Sequence, residues 1–201
     1  MNIPENIDSY EFLSLEKETE KALFYSCKDK TGKKCLIKFY KKNKKPHQNS
    51  LTKIYIPNAI EILKDGKFFD ADTSKYFDYE IMPYLENATL LSEHVPLPEK
   101  EAFEIIKKLS ECLNIFHKKG FIHRDVTPEN ILMNGNEPIL ISYGCLTEID
   151  SQDDVDVSLT KVFKAKKDVT GTDGFIAPEV YTGVISPAVD YFCLGMTLYF
   201  Y

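Results

Sequence analysis

Short apolar runs broken by polar turns fill the first forty residues. The runs at 10–15, 22–27 and 35–40 are rich in aromatic and β-branched side chains, and Lys28-Asp29-Lys30-Thr31-Gly32 makes a turn between the last two. This pattern predicts an antiparallel meander. The stretch 41–58 is polar and yields no clear element. Further strands are expected at 59–63 and 76–82, although Ile60-Glu61-Ile62-Leu63 would equally end a helix. Pro83-Tyr84-Leu85-Glu86-Asn87 then interrupts the pattern.

After that break the period changes. Phe103, Ile106, Leu109, Leu113 and Phe116 recur at three- and four-residue steps. Pro98-Glu99 puts an acid in the first turn, and Lys118-Lys119-Gly120 closes with bases and a glycine. Together they predict one long amphipathic helix. Short runs at 131–133 and 139–141 flank Asn134-Gly135-Asn136-Glu137, a hairpin signal. Residues 145–170 show no period and read as a long loop. The apolar stretch 189–201 reads as a buried helix.

Composition narrows the class. At 201 residues, 43% hydrophobic and 28% charged, the chain is long enough for one domain or two small lobes with a core. A net charge of −6 argues against a nucleic-acid partner. The basic run Lys41-Lys42-Asn43-Lys44-Lys45 is read either as a solvated loop or as a phosphate-binding patch. Cys27, Cys35, Cys112, Cys145 and Cys193 are scattered without a CxxC spacing, so reduced, mostly buried thiols are expected. The sequence shows no secretory-type start and no apolar run of membrane-spanning length. The expectation is a cytoplasmic chain without a membrane partner.

The chemistry sits in one motif. Phe121-Ile122-His123-Arg124-Asp125-Val126-Thr127-Pro128-Glu129-Asn130 follows the long helix and precedes the hairpin. A His-Arg-Asp triplet followed five residues later by Asn, in that context, resembles the catalytic loop of protein kinases. Four other landmarks occur in matching order. They are Cys35-Leu36-Ile37-Lys38, Tyr79-Glu80-Ile81-Met82-Pro83-Tyr84-Leu85, Gly171-Thr172-Asp173-Gly174-Phe175-Ile176-Ala177-Pro178-Glu179 and Asp190-Tyr191-Phe192-Cys193-Leu194-Gly195. The resemblance spans about residue 10 to residue 201. It implies an α+β, bilobal protein-kinase-like fold. Residues 1–85 would form the sheet-containing N-lobe with a hinge at 83–86, and 87–201 a mainly helical, incomplete C-lobe. The ending inside the apolar helix leads to the expectation of a truncated form, or of a partner or dimer mate covering Phe192, Leu198 and Phe200.

The same resemblance implies roles. Asp125 is the catalytic carboxylate, Asn130 a magnesium ligand and Lys38 the lysine on the ATP phosphates. Met82, Tyr84 and Leu85 line the adenine side, where Pro83 offers only a carbonyl. Ser158, Thr160, Thr170 and Thr172 are read either as regulatory phosphosites with Arg124 as their cation, or as ordinary loop hydroxyls.

Several parts of that pattern are absent. No glycine occurs between Leu15 and Cys27, where Glu16, Glu18 and Glu20 stand instead. Ser142-Tyr143-Gly144 replaces the Asp-Phe-Gly of kinases, which removes a carboxylate from the magnesium site. Asp150, Asp153 and Asp154 come too late in sequence to replace it simply. No Asp or Glu occurs from Phe39 to Ile60, so the acid that pairs with the lysine is missing, and Glu61 is the first candidate. Leu36 stands where an alanine usually faces adenine, and Thr127 where a lysine usually touches the transferring phosphate. The expected function is a pseudokinase with doubtful ATP and magnesium binding, acting through a protein partner. The alternative is an atypical Ser/Thr kinase transferring the ATP γ-phosphate to a protein hydroxyl.

Overall fold

The computed structural model describes residues 3–41, 51–52, 54–94, 96–148, 163–164 and 169–199. Most of the basic run (42–45), Asp150, Asp153, Asp154, Ser158, Thr160 and Phe200 lie outside the described residues. Packing divides the chain into two compact units, Met1–Tyr55 with Ile60–Glu86, and Ile56–Ala59 with Asn87–Tyr201.

The first unit is one antiparallel sheet. Its strands are β1 (Asn6–Ile7), β2 (Tyr10–Glu18), β3 (Ala22–Lys28), β4 (Lys34–Tyr40), β5 (Lys64–Asp70) and β6 (Lys75–Pro83), in spatial order β1-β2-β3-β4-β6-β5. Polar side chains close its turns. Asp29 accepts from the backbone N–H groups of Thr31 (2.8 Å) and Lys33 (3.0 Å), and Gly32 supplies a φ of 82°. Side chains alternate between faces. One face gathers Cys27, Cys35, Ile37, Phe39, Phe68, Phe77, Tyr79 and Ile81 into an apolar core. The ring of Phe39 lies edge-on to Phe12, Tyr25 and Phe68. The other face takes the intervening residues, Lys38, Tyr40, Glu80 and Met82 among them.

One expected strand is displaced. Residues 59–63 form no ladder, and pairing begins at Lys64. The turn at 70–75 sets the register, with Asp70 accepting from the Asp72 N–H (3.2 Å) and the Thr73 hydroxyl (2.8 Å). The polar composition of β5 hid it from an apolar pattern. Ala59 instead bridges to Leu140, while Asn58 Nδ2 donates to the Pro138 carbonyl (2.8 Å), all within the second unit.

The second unit is built on α1 (Glu99–Lys118) and α2 (Ala188–Tyr199). The buried stripe of α1 is Ile105, Leu109, Cys112, Leu113 and Phe116. Phe103, expected on that stripe, is 66% exposed, because Ile105 takes the inward position. After β7 (Thr89–Leu90) and β8 (Phe121–Ile122), strands β9 (Ile131–Asn134) and β10 (Glu137–Leu140) form the expected hairpin, with Gly135 at φ 61°. The remaining short strands are β11 (Thr147–Glu148), paired with β8, and β12 (Phe163–Lys164), paired with β13 (Val184–Ile185). The stretch read as one long loop therefore contains two bridging strands. All five cysteines are free, and burial pushes the Cys27, Cys112 and Cys193 thiols up to about 12. Thiols held that high are inert at neutral pH. No described helix is long and apolar enough to cross a membrane.

Candidate functional site

The His123–Asn130 segment is anchored from below by α2. Asp190, in the first turn of that helix, is fully buried. One of its oxygens lies 2.7 Å from His117 Nε2 and accepts from the His123 N–H (2.9 Å), while the other accepts from the Arg124 N–H (2.6 Å). Arg124 has a φ of 68°, a left-handed conformation that is costly for a residue carrying a Cβ. The Asp190 bond to its N–H holds that conformation. His123 is buried, and desolvation pushes its pKa down, so the imidazole is held neutral. Its Nδ1 accepts from the Asp125 N–H at 3.3 Å.

Asp125 is therefore fixed by its backbone, and its carboxylate is fixed by two donors. Asn130 Nδ2 donates to Oδ2 (2.7 Å) and to the Asp125 carbonyl (3.0 Å). The Thr172 hydroxyl donates to Oδ1 at 2.7 Å. Thr172 is placed there by Gly171, whose φ is 139° and where a Cβ would lie 3.1 Å from the Arg124 carbonyl. Both amide hydrogens of Asn130 serve Asp125, which leaves Asn130 Oδ1 as the open acceptor. The Arg124 guanidinium donates to the Thr147 hydroxyl at 3.0 Å.

Beyond the hairpin, Ser142 adopts φ 69° and is half-buried. Tyr143 beside it is 2% exposed and packs against the rings of Phe116 and His123, each with centroids 5.8 Å away. The local shape resembles what the motif implies, with a hydroxyl where an acid is expected. A hard divalent cation favours several charged oxygen ligands. Here the unit offers one carboxylate already engaged by two donors, one amide carbonyl and one neutral hydroxyl. No group of three His, Cys, Asp or Glu side chains suited to a metal forms among the described residues. This donor set is a poor fit for magnesium.

In the sheet unit, Lys38 sits on β4 and is 8% exposed. Its direct cross-strand neighbour on β6 is Glu80, which is 1% exposed. Lys38 Nζ lies 3.5 Å from Glu80 Oε1, and the Tyr40 hydroxyl donates to that same oxygen at 2.7 Å. The ammonium also lies 4.6 Å from the centroid of the Tyr40 ring and 5.7 Å from that of Phe24. Glu61, the first candidate acid in the sequence, is exposed in the segment before β5, and the acid beside Lys38 comes from the sheet.

Met82 is buried on the same face, opposite Leu36. Tyr84 and Leu85 are half-buried just past the end of β6. The Tyr84 hydroxyl donates to Glu16 at 3.3 Å, and Lys34 Nζ stands 3.7 Å above the Tyr84 ring. Hydrogen bonds from Ser26, Ser14 and Tyr84 hold the Glu16 carboxyl below its usual range. The glycine-free turn between β2 and β3 is tight. Thr19 Oγ1 accepts from the Ala22 N–H (3.0 Å), and Glu18 pairs with Lys41. Thr127, at the position of a usual lysine, is fully buried.

Two residues of the site escaped the sequence reading. Glu80 was detectable as a lone acid in an apolar strand, at the same parity as Met82. Asp190 was detectable as an acid at the start of a helix otherwise apolar to its end.

Comparison with known proteins follows the same lines. A family model described as the protein kinase domain matches residues 20–201. Serine/threonine-protein kinase D of Synechocystis is 31% identical over 140 residues, covering 69% of this chain and 26% of the relative. A putative serine/threonine-protein kinase of Acanthamoeba polyphaga mimivirus is 25% identical over 202 residues, covering 92% of this chain and 68% of the relative. The serine/threonine-protein kinase PknB of Mycobacterium leprae is 29% identical over 167 residues, and this chain spans 25% of its length. Among solved structures, the Cydia pomonella granulovirus kinase superposes with a TM-score of 0.71 at 22% identity, over 95% of this chain and 67% of that one. At that identity the likeness concerns the fold. The chain spans about a quarter of the length of the Synechocystis and M. leprae kinases.

Proposed function

This chain belongs to the protein kinase family, and from that premise we propose that it is a degenerate kinase domain, a pseudokinase, with impaired Mg-ATP binding and an action exerted through a protein partner. Residues 1–85 act as the N-lobe with its hinge at 83–86, and 87–201 as the C-lobe portion carrying the catalytic loop. The observation that carries this reading is Ser142, a neutral hydroxyl where phosphoryl transfer needs a magnesium-holding carboxylate. The acids Glu16, Glu18 and Glu20 support it, since they place negative charge where kinases cover a negative nucleotide with bare backbone. On this reading Lys38, Met82, Tyr84, Leu85 and Asn130 are what remains of the nucleotide site, and Asp125 is a retained catalytic carboxylate.

A second reading is an atypical Ser/Thr kinase. It is favoured by the carboxylate of Asp125, held by Asn130 and Thr172 at 2.7 Å each, and by Lys38 keeping an acid at 3.5 Å. Asp125 would then orient the substrate hydroxyl and Lys38 would hold phosphate oxygens.

Thermal unfolding with ATP, in magnesium and in chelator, tests the choice. A ligand at a hundred times its Kd adds about 2.7 kcal/mol, a shift of several degrees in Tm. We expect millimolar ATP to give a much smaller shift, equal with and without magnesium, and Asp125→Asn to behave as the parent. Magnesium-dependent phosphotransfer that disappears in Asp125→Asn would overturn the pseudokinase reading in favour of the second.

A further inference from the structure

We propose that Glu80 is the positioning residue for Lys38, replacing with an acid built into the sheet the acid that kinases bring from outside it. The inference rests on the assignment of Lys38 as the phosphate-facing lysine.

The segment from Phe39 to Ile60 contains no Asp or Glu, so no element formed from it offers a carboxylate to Lys38. A buried ammonium without a counter-charge is strongly unfavourable. The sheet answers this in its own register. Lys38 and Glu80 are directly opposed on β4 and β6, the nearest side-chain relation a sheet provides. The row that they share runs from Lys17 and Phe24 through Lys38 and Glu80 to Asp65. Asp65, the other acid in the row, accepts from the Thr52 hydroxyl at 2.8 Å. The next acid along β6, Asp78, has Lys67 at 3.8 Å.

The contacts around Lys38 fix a direction as well as a charge. Glu80 Oε1 is shared between the ammonium and the Tyr40 hydroxyl, so the carboxylate cannot rotate freely. The Tyr40 ring flanks the ammonium and Phe24 stands on the neighbouring strand. The second oxygen, Glu80 Oε2, is buried and has no hydrogen-bond partner among the described residues. A group used only to stabilise the fold is ordinarily saturated with donors. Here one oxygen is committed to holding the lysine and the other is open. A lysine held this way keeps donors to spare for an anionic ligand.

The test measures acetic anhydride labelling of Lys38 by mass spectrometry in the full chain at about pH 8, with and without about 10 mM ATP, a concentration chosen to occupy even a weak site. Glu80→Gln keeps the shape and removes the charge. It should speed Lys38 labelling about tenfold relative to the other lysines, because the amine loses its ion-pair partner. Glu80→Asp should restore most of the slow labelling. Tyr40→Phe keeps both charges and frees the carboxylate, and should speed labelling by about twofold to threefold. That second variant decides the matter if Glu80→Gln fails to fold. Unchanged Lys38 labelling in Glu80→Gln, or in Tyr40→Phe when only that variant folds, would overturn the inference. A failure of the underlying assignment reads differently: ATP would then leave Lys38 labelling unprotected in the parent, whatever the variants do.

Discussion

Two buried acids, one in each unit, are treated in opposite ways. Asp190 collects a histidine ring and two backbone N–H groups and leaves no oxygen idle. Glu80 meets a lysine and a tyrosine through one oxygen and keeps the other without a hydrogen-bond partner among the described residues. The first carboxylate is saturated and the second is half-used. In the catalytic-loop unit the residues that hold the backbone are bonded to one another, and the departures from the kinase pattern are Ser142 and Thr127. In the sheet unit they include Glu16 and Leu36, with Glu80 as the acid opposite Lys38.

Removing the saturated acid gives the sharpest break between the units. Asp190→Ala strands three buried donors, which costs about 3–5 kcal/mol by the usual penalty for disrupting a buried charged network. Urea unfolding should show a lower midpoint and a loss of cooperativity, since the catalytic-loop unit fails before the sheet. An unchanged midpoint would show that Asp190 is dispensable and the contrast false.

A smaller effect is expected at Gly171. Gly171→Ala introduces a Cβ 3.1 Å from the Arg124 carbonyl at a φ of 139°. Strain of this kind costs about 1–3 kcal/mol. Hydrogen exchange should quicken around Thr172 while the sheet stays protected. Equal protection in both units would mean that the glycine is incidental.

The mildest prediction concerns pH. His123 has its folded pKa lowered by burial, so the unfolded chain binds its proton more readily. Its contribution is fully present above the unfolded value of about 6.5 and is lost as pH falls through that value toward the lower folded one. The slope is at most about 1.4 kcal/mol per pH unit. His123→Asn should flatten the dependence of the unfolding free energy between about pH 7.5 and 5.5. The exposed carboxylates with lowered pKa, Glu16 and Asp29 among them, act in a separate window below about pH 5. A slope unchanged by the substitution would assign the titration to another group.

Much of this was legible in the chain itself. The meander, the amphipathic α1, the Asn-Gly hairpin and the catalytic-loop motif each carry a local signature, and each lies where its signature stands. What was not legible depended on partners far away in sequence. β5 reads as polar because its stability comes from pairing with β6 rather than from an apolar run. Phe103 lies three residues before Ile106 and so fits the period, but the buried stripe starts from Ile105, about 200° around the helix, which turns Phe103 outward. Glu80 is an anomaly until β4 is laid beside β6, for the register alone shows what it answers. Asp125 and Asn130 were recognisable from spacing, whereas the hydroxyl of Thr172 joins them across 47 positions of chain.

The register that places Lys38 against Glu80 also bears on how the sheet assembles. Antiparallel strands risk slipping by one residue, which turns a strand's side chains over. A slip of β6 by one position would set Tyr79 or Ile81 opposite Lys38 and drive Glu80 among Ile37, Phe39 and Phe68. The charged pair thus penalises the wrong alignment far more than it deepens the right one. In folding terms it acts as a proofreading contact, tolerated in a buried place because every misaligned sheet must desolvate two unmatched charges.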